Sequence, residues 1–265
     1  MKRRSCKYLL TAALLCAALT LPAKAARRRV PVQADAIPVS AAAYVEQGVT
    51  YVPLRALLNT LGSWQVWWDG EAGQAAAVSG NASLRADPAG NVIRVNGIAL
   101  SGRVTVESGV TYVPLRLVCE ALGCKVEWDP YLGGAAVTSP GAAYDAGELY
   151  WLSRIIYAES GAESMTGQIA VGNVILNRME SSRFPNTVEG VIFDRKDAVQ
   201  FEPVSNGQIY KTPSAQSVEA ARRVLDGENV IGSALYFYAP ALSQGVWINA
   251  NCTYQQTIGC HRFYL

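Results

Sequence analysis

The octapeptide Gly48-Val49-Thr50-Tyr51-Val52-Pro53-Leu54-Arg55 returns intact as Gly109-Val110-Thr111-Tyr112-Val113-Pro114-Leu115-Arg116. The likeness continues through Leu61-Gly62 and Leu122-Gly123, then Val66-Trp67-Trp68-Asp69 and Val126-Glu127-Trp128-Asp129. A duplicated unit of this size constrains the fold, because both copies must adopt one local structure and bury the same face. Each copy reads as a strand, a proline at a helix start, a short helix closed by glycine, and a strand ending in Trp-Asp. Short alternating segments such as Val92–Val95 and Val104–Val106 fill the interval, between Asn-Gly and Ser-Gly turns. The pattern predicts one small α+β domain over 27–138, made of two repeat units. Arg55 and Arg116 are expected to pair internally with Asp69 and Asp129, the other reading being an anionic ligand. Trp64, Trp67, Trp68 and Trp128 are core or hairpin residues, or platforms for sugars.

The chain has 23 basic and 21 acidic residues, unevenly distributed. Five of the basic ones (Lys2, Arg3, Arg4, Lys7 and Lys24) precede residue 26, where there is no acid, leaving 18 basic against 21 acidic. Lys2-Arg3-Arg4, the apolar run from Tyr8 to Leu21 and Ala23-Lys24-Ala25 read as a secretory signal peptide over 1–25, with an uncleaved anchor as the alternative. The expectation is a secreted or envelope protein, possibly of the spore, with no stable membrane span after cleavage. The acidic balance of the remainder argues against a nucleic-acid partner. His261 is the single histidine, which argues against zinc amidases and zinc peptidases, whose metal sites need several. No cofactor and no metal are expected.

Ser139-Pro140-Gly141-Ala142-Ala143 marks a linker, taken as 139–148. Helical periods follow, in a second domain over 149–265. Leu149, Leu152, Ile155 and Ile156 form an apolar stripe over a helix from Glu148 to Glu159. Glu159 continues that stripe. A carboxyl group there is desolvated, which raises its pKa and suits it to general-acid work near neutral pH. The other reading of Glu159 is an exposed helix end. A second helix is expected over Met165–Met179, where Gly167 and Gly172 permit close packing. Asn173 and Asn177 lie on one side of it and are expected to orient Glu159 or bind a sugar. A third helix is expected over Pro213–Asp226, with Thr212 as its N-cap.

The ordered set Tyr157-Ala158-Glu159-Ser160-Gly161-Ala162-Glu163, Gly167–Val171, Asn177-Arg178, Phe184–Val188, Gln200-Phe201, Ala234–Tyr238 and Ile258–Tyr264 resembles the SleB-type cell-wall hydrolases, which include spore cortex-lytic enzymes. The likeness spans about 150–265. It departs where the family usually has Glu-Ala-x-Gly-Glu, since here the glycine is shifted by one. The repeat domain is similar to the copper amine oxidase N-terminal-like modules of exported bacterial proteins, which implies an accessory role. The resemblance implies a mainly α, lysozyme-like second domain that cuts the MurNAc–GlcNAc strands of peptidoglycan as a lytic transglycosylase, in cortex or wall. Glu159 would be catalytic. Glu163, Asn177, Arg178, Phe201, Tyr236, Tyr238 and His261 would support it or bind substrate. Protein partners are left open. The alternatives are an N-acetylmuramoyl-L-alanine amidase and a non-catalytic wall-binding protein. A cysteine peptidase is disfavoured, because Cys260 and His261 are neighbours in sequence.

Four cysteines follow the signal segment. Leu58 and Ser63 occupy the places of Cys119 and Cys124 in the first repeat, so those two cysteines were gained together. Disulfides Cys119–Cys124 and Cys252–Cys260 are expected, each within its own domain.

Overall fold

The computed structural model describes residues 27–39, 42–196 and 199–265, so the signal expected over 1–25 lies outside the described residues. The N-terminal domain is built around the duplication. Tyr44–Glu46 and Val49–Pro53 form one hairpin, and Thr105–Glu107 and Val110–Pro114 form its counterpart. Their two-residue turns, Gln47-Gly48 and Ser108-Gly109, hold positive φ at both positions, as the twist of a tight hairpin requires. The two copies then pair with each other. Val52 lies opposite Val113, Tyr51 opposite Pro114 and Pro53 opposite Tyr112. Val52 and Val113 hold the same place in the two octapeptides, so a pseudo-twofold axis passes between them.

Helices α1 (Leu54–Leu61) and α2 (Leu115–Ala121) follow these strands directly, with Pro53 and Pro114 at their N-caps. Each helix packs on its own copy's strand and on that of the other copy. Leu54, Leu57, Leu58, Leu115, Val118 and Cys119 are buried there with Val52 and Val113. A second five-stranded antiparallel sheet runs from Gln65–Asp69 to Ile98–Ser101. A third sheet closes the domain by pairing Val32–Ala34 with Ala135–Val137, the one parallel contact among the described strands. The observed α+β character agrees with the reading from sequence.

The expected linker is partly helical. Helix α3 (Ala146–Ser160) begins inside it, capped by the Asp145 side chain accepting from Gly147 N. Its first two turns are fastened to the preceding domain. Gln33 Nε2 donates to Ala146 O at 3.0 Å, and Trp151 Nε1 donates to Asp129 Oδ2 at 2.7 Å. Tyr131 stacks on Phe193 with ring centroids 4.3 Å apart.

Helix α3 is buried on nearly every side, so its apolar stripe belongs to a core helix rather than to a surface one. Helix α4 (Met165–Glu180) packs beside it, with Ser164 as its N-cap. A Cβ on Gly172 would come within 2.9 Å of both Ile156 and Val224, so only glycine permits this approach. Short helices α5 (Val188–Ile192) and α6 (Glu202–Asn206) follow. Helix α7 (Ala215–Leu225) completes the bundle. It starts two residues later than expected, because Ser214 rather than Thr212 accepts from the backbone of its first turn. Helix α8 (Val246–Asn251), which has no buried residue and no apolar period, was not legible in the sequence. A three-stranded sheet ends the chain, with His261–Tyr264 between Tyr236–Tyr238 and Tyr254–Ile258. No helix among the described residues is long and apolar enough to cross a membrane.

Candidate active site

The end of α3 and the turn after it, Tyr157 to Glu163, form one wall of a cleft of about 510 Å³. The opposite side comprises Gln208, Lys211, Ala239, Leu242, Cys260 and His261. The turn is held by side chains of neighbouring helices. Buried Gln168 donates from Nε2 to Glu163 O at 3.1 Å and accepts from Ser217 Oγ at 2.8 Å. Gln216 Nε2 also donates to Glu163 O. Gly161 caps α3 with ordinary right-handed φ, and a Cβ there would strike Tyr157 O at 2.5 Å. The shifted glycine is therefore accommodated by close packing, and Glu159 and Glu163 both line the cleft although the helix stops at Ser160.

Glu159 is half-buried, and burial pushes its carboxyl up to about 7, with a smaller push from the negative charge of Glu202. The direction and its main cause agree with the stripe argument. Glu202 was not anticipated, since Gln200-Phe201-Glu202 carries no periodic signal. It is the first residue of α6, which the sequence did not show as a helix.

Glu163 accepts a hydrogen bond from Cys260 Sγ at 2.8 Å. The same thiol lies 3.7 Å from His261 Nδ1. Sequence adjacency therefore does not keep Cys260 and His261 apart, contrary to expectation. The carboxylate of Glu163 pushes the Cys260 thiol up from its ordinary value, whereas a nucleophilic cysteine needs the opposite shift. Gly259 has φ +57, and a Cβ on it would overlap Glu163 Oε2, so glycine is required here on two counts. Burial lowers the His261 pKa, opposed by Glu163.

The remaining candidates lie elsewhere. Asn177 Nδ2 donates to Gly232 O and Ala234 O at 2.8 and 2.9 Å, and Asn173 bridges Glu228 O and Val230 N. Neither residue orients Glu159. Both fasten the irregular segment that leads into the sheet. Arg178 Nε donates to Leu235 O at 2.8 Å, and the guanidinium is packed among the rings of Phe184, Phe201 and Tyr236. Its burial lowers its pKa to about 10. Phe201 is buried as part of this cage. Tyr238 exchanges hydrogen bonds with Asn249 and stacks near Tyr264. Tyr236 approaches Trp247 at 5.6 Å. None of these six lines the cleft.

All four described cysteines are free thiols. Cys119 and Cys124 hydrogen-bond to each other; that contact, with burial, pushes Cys119 up, and the same contact pushes Cys124 down against the effect of burial. The expected Cys252–Cys260 bridge does not form. The strand Tyr254–Ile258 separates the two residues. At about 3.3 Å per residue it holds them well beyond the roughly 7 Å that a disulfide tolerates between Cα atoms.

The expected Arg–Asp pairs of the repeat domain are also absent. Arg55 donates to Val66 O and Arg116 pairs with Glu120, while Asp69 pairs with Arg85 and Asp129 takes Trp151. Trp64 packs on the core, whereas Trp67, Trp68 and Trp128 are 42–48% exposed. Trp67, Trp68 and Arg55 line a groove of about 570 Å³, and Trp128 and Arg116 line its pseudo-twofold mate of about 390 Å³.

Residues 162–264 match the Cell Wall Hydrolase family, and residues 32–136 match the Copper amine oxidase N-terminal domain. The first matched span begins just after Glu159, so the case for that residue rests on its geometry. The spore cortex-lytic enzyme of Bacillus cereus is 39% identical over 105 residues, covering 40% of this chain and 39% of that protein. The spore cortex-lytic enzyme of Bacillus subtilis is 35% identical over 113 residues, covering 43% and 36%. The chain thus spans about two fifths of the length of these curated relatives. Among solved structures, the catalytic domain of the germination-specific lytic transglycosylase SleB from Bacillus anthracis is 36% identical, with a TM-score of 0.43, covering 48% of this chain and 99% of that one. The second domain thus matches the cell wall hydrolase family, and the first matches the copper amine oxidase N-terminal domain.

Proposed function

We propose that the chain is an exported, peptidoglycan-degrading enzyme that cleaves MurNAc–GlcNAc strands as a lytic transglycosylase, with Glu159 as its acid and base. The observation that carries this reading is a half-buried carboxyl on the cleft wall, held near pH 7 by burial. In its protonated form Glu159 gives its proton to the glycosidic oxygen as the C1–O bond breaks. The resulting carboxylate takes the proton of the MurNAc C6 hydroxyl while that oxygen closes on C1. The product is a 1,6-anhydro sugar, water is not consumed, and Glu159 is returned protonated. One carboxyl suffices for this sequence, whereas ordinary glycoside hydrolysis needs two at a fixed separation. Glu163 supports the turn, bound as it is to Cys260. The contact between the free thiols of Cys119 and Cys124 supports a bridge between them on oxidation, which an exported protein would allow.

Digestion of purified spore cortex and vegetative wall, with mass analysis of the fragments, tests the proposal. Anhydro-muropeptides support it. Reducing ends in their place indicate a hydrolase, and free stem peptides indicate an amidase. Either outcome overturns the transglycosylase reading.

A further inference from the structure

Glu163, Cys260 and His261 bring a carboxylate oxygen, a thiol sulfur and an imidazole nitrogen within 4.8 Å of one another. The transglycosylase step uses none of these three atoms. Cys260 and His261 lie at the start of the last strand, and Glu163 is pinned beneath them by Gln168 and Gln216. The set is thus drawn from two separate parts of the domain, the turn after α3 and the start of the last strand.

We propose that these three residues form a binding site for a divalent cation of the zinc class. One sulfur, one imidazole nitrogen and one carboxylate oxygen are a donor set that zinc accepts, and a thiolate selects against magnesium and calcium. A tetrahedral ion with bonds of about 2.0–2.3 Å separates its ligand atoms by about 3.5 Å. Cys260 Sγ and His261 Nδ1 already lie at 3.7 Å. Cys260 Sγ and Glu163 Oε1, now at hydrogen-bonding distance of 2.8 Å, must move apart by less than an ångström or so on that geometry. Loss of the thiol proton removes the hydrogen bond and permits that movement. The metal–sulfur bond forms as the S–H bond breaks, and the proton leaves to the buffer. Three protein ligands leave a fourth position for water. Two further features favour such a site. His261 is 5% exposed, so its ring is fixed by packing, and Cys260 is exposed, so the ion has a way in. Because all three ligands line the same cleft as Glu159, a bound ion occupies space that a glycan strand would need. Micromolar zinc is therefore expected to slow wall lysis reversibly.

The test uses the full chain in reduced, chelator-treated form, titrated with Co²⁺ and with Zn²⁺. The expected result is a single site, with a thiolate-to-cobalt charge-transfer band that zinc abolishes. Cys260→Ser removes the band, and Glu163→Gln weakens binding by roughly tenfold or more. Cys252→Ser, which changes the other partly exposed thiol of the domain, leaves the band intact. His261→Asn is also expected to lose binding. Its circular dichroism is checked because the residue is buried, and the exposed Cys260 variant decides the matter if that one fails to fold. A band that survives Cys260→Ser, or no saturable binding by the native chain, overturns the proposal. These readouts do not depend on peptidoglycan cleavage, so their failure leaves the enzymatic reading untouched.

Discussion

The two domains differ in what their buried polar groups hold. In the N-terminal domain the core is apolar, assembled from Val, Leu and Ala around the pseudo-twofold pair Val52 and Val113. Pairs such as Arg116–Glu120 and Arg85–Asp69 lie at its surface, and its buried Glu46 meets Arg27 and Arg103 while buried Gln33 and Asp129 bond to the second domain. In the C-terminal domain Gln168, Asn173, Arg178 and Ser217 are buried, and each bonds to irregular backbone or to another buried side chain. A duplicated strand–helix unit stabilises itself through its own hydrogen bonds. A cleft wall made of turns does not, so helices must supply the missing partners. The contrast teaches that single substitutions should weigh far more heavily in the second domain than in the first.

The largest effect is expected at Glu159. Glu159→Gln should lower wall lysis by roughly 10²–10⁴ while the domain stays folded. The native enzyme should lose activity as pH rises past about 7, where Glu159 gives up the proton it must donate. Turbidity loss of cell-wall suspensions across pH reads both. A second, opposite effect is expected on stability. The folded carboxyl keeps its proton up to about 7 against an ordinary 4.5, so its contribution to stability falls as pH climbs through that window. Glu159→Gln removes this loss and should raise stability at pH 8 by up to about 3 kcal/mol, measured by urea unfolding. A Gln variant that lyses normally would show that the wrong residue has been chosen.

Next comes Arg178→Ala. It leaves Leu235 O without its partner and opens a void among Phe184, Phe201 and Tyr236, at a cost of about 2–4 kcal/mol. Deleting residues 260–265 removes the central strand of the terminal sheet and buried Phe263, and should abolish folding of that domain. Trp151→Phe tests the seam between the domains. It deprives Asp129 of a 2.7 Å bond and should cost about 1–3 kcal/mol, with the two domains unfolding in separate calorimetric transitions. The smallest effect is expected at Arg55→Ala, an exposed arginine of the first repeat, within about 0.5 kcal/mol. A cost there comparable to that at Arg178 would break the contrast between the domains.

Much of the fold was legible, and for identifiable reasons. The octapeptide repeat disclosed the first domain because duplication is visible without knowing any contact. Helix α3 was found because its apolar residues recur at helical spacing. The raised pKa of Glu159 followed from its place on that stripe. What escaped is what depends on long-range backbone. Asn173, Asn177 and Arg178 resembled site residues because polar groups in an apolar helix need partners, but the partners proved to be carbonyls some fifty residues away. The separation of Cys252 from Cys260 depends on an extended strand between them, and a count of intervening residues does not show extension. Helix α8 and the placement of Glu202 carried no periodic signal at all.

The parallel contact between Val32–Ala34 and Ala135–Val137 bears on the order in which the molecule can be completed. A chain exported from its N-terminal end presents Val32–Ala34 early, and Ala135–Val137, the strand that will cover it, is the last of its domain to emerge. During that interval one edge of the hairpin made by Val32–Ala34 and Ile37–Pro38 is bare, a template for any extended segment that arrives early. Only when Ala135–Val137 has docked can Asp35 accept from Ser139 and Gln33 reach Ala146, the first residue of α3. The closing strand thus sets an order: the repeat domain is completed by residues that lie just ahead, in the chain, of the helix that carries Glu159.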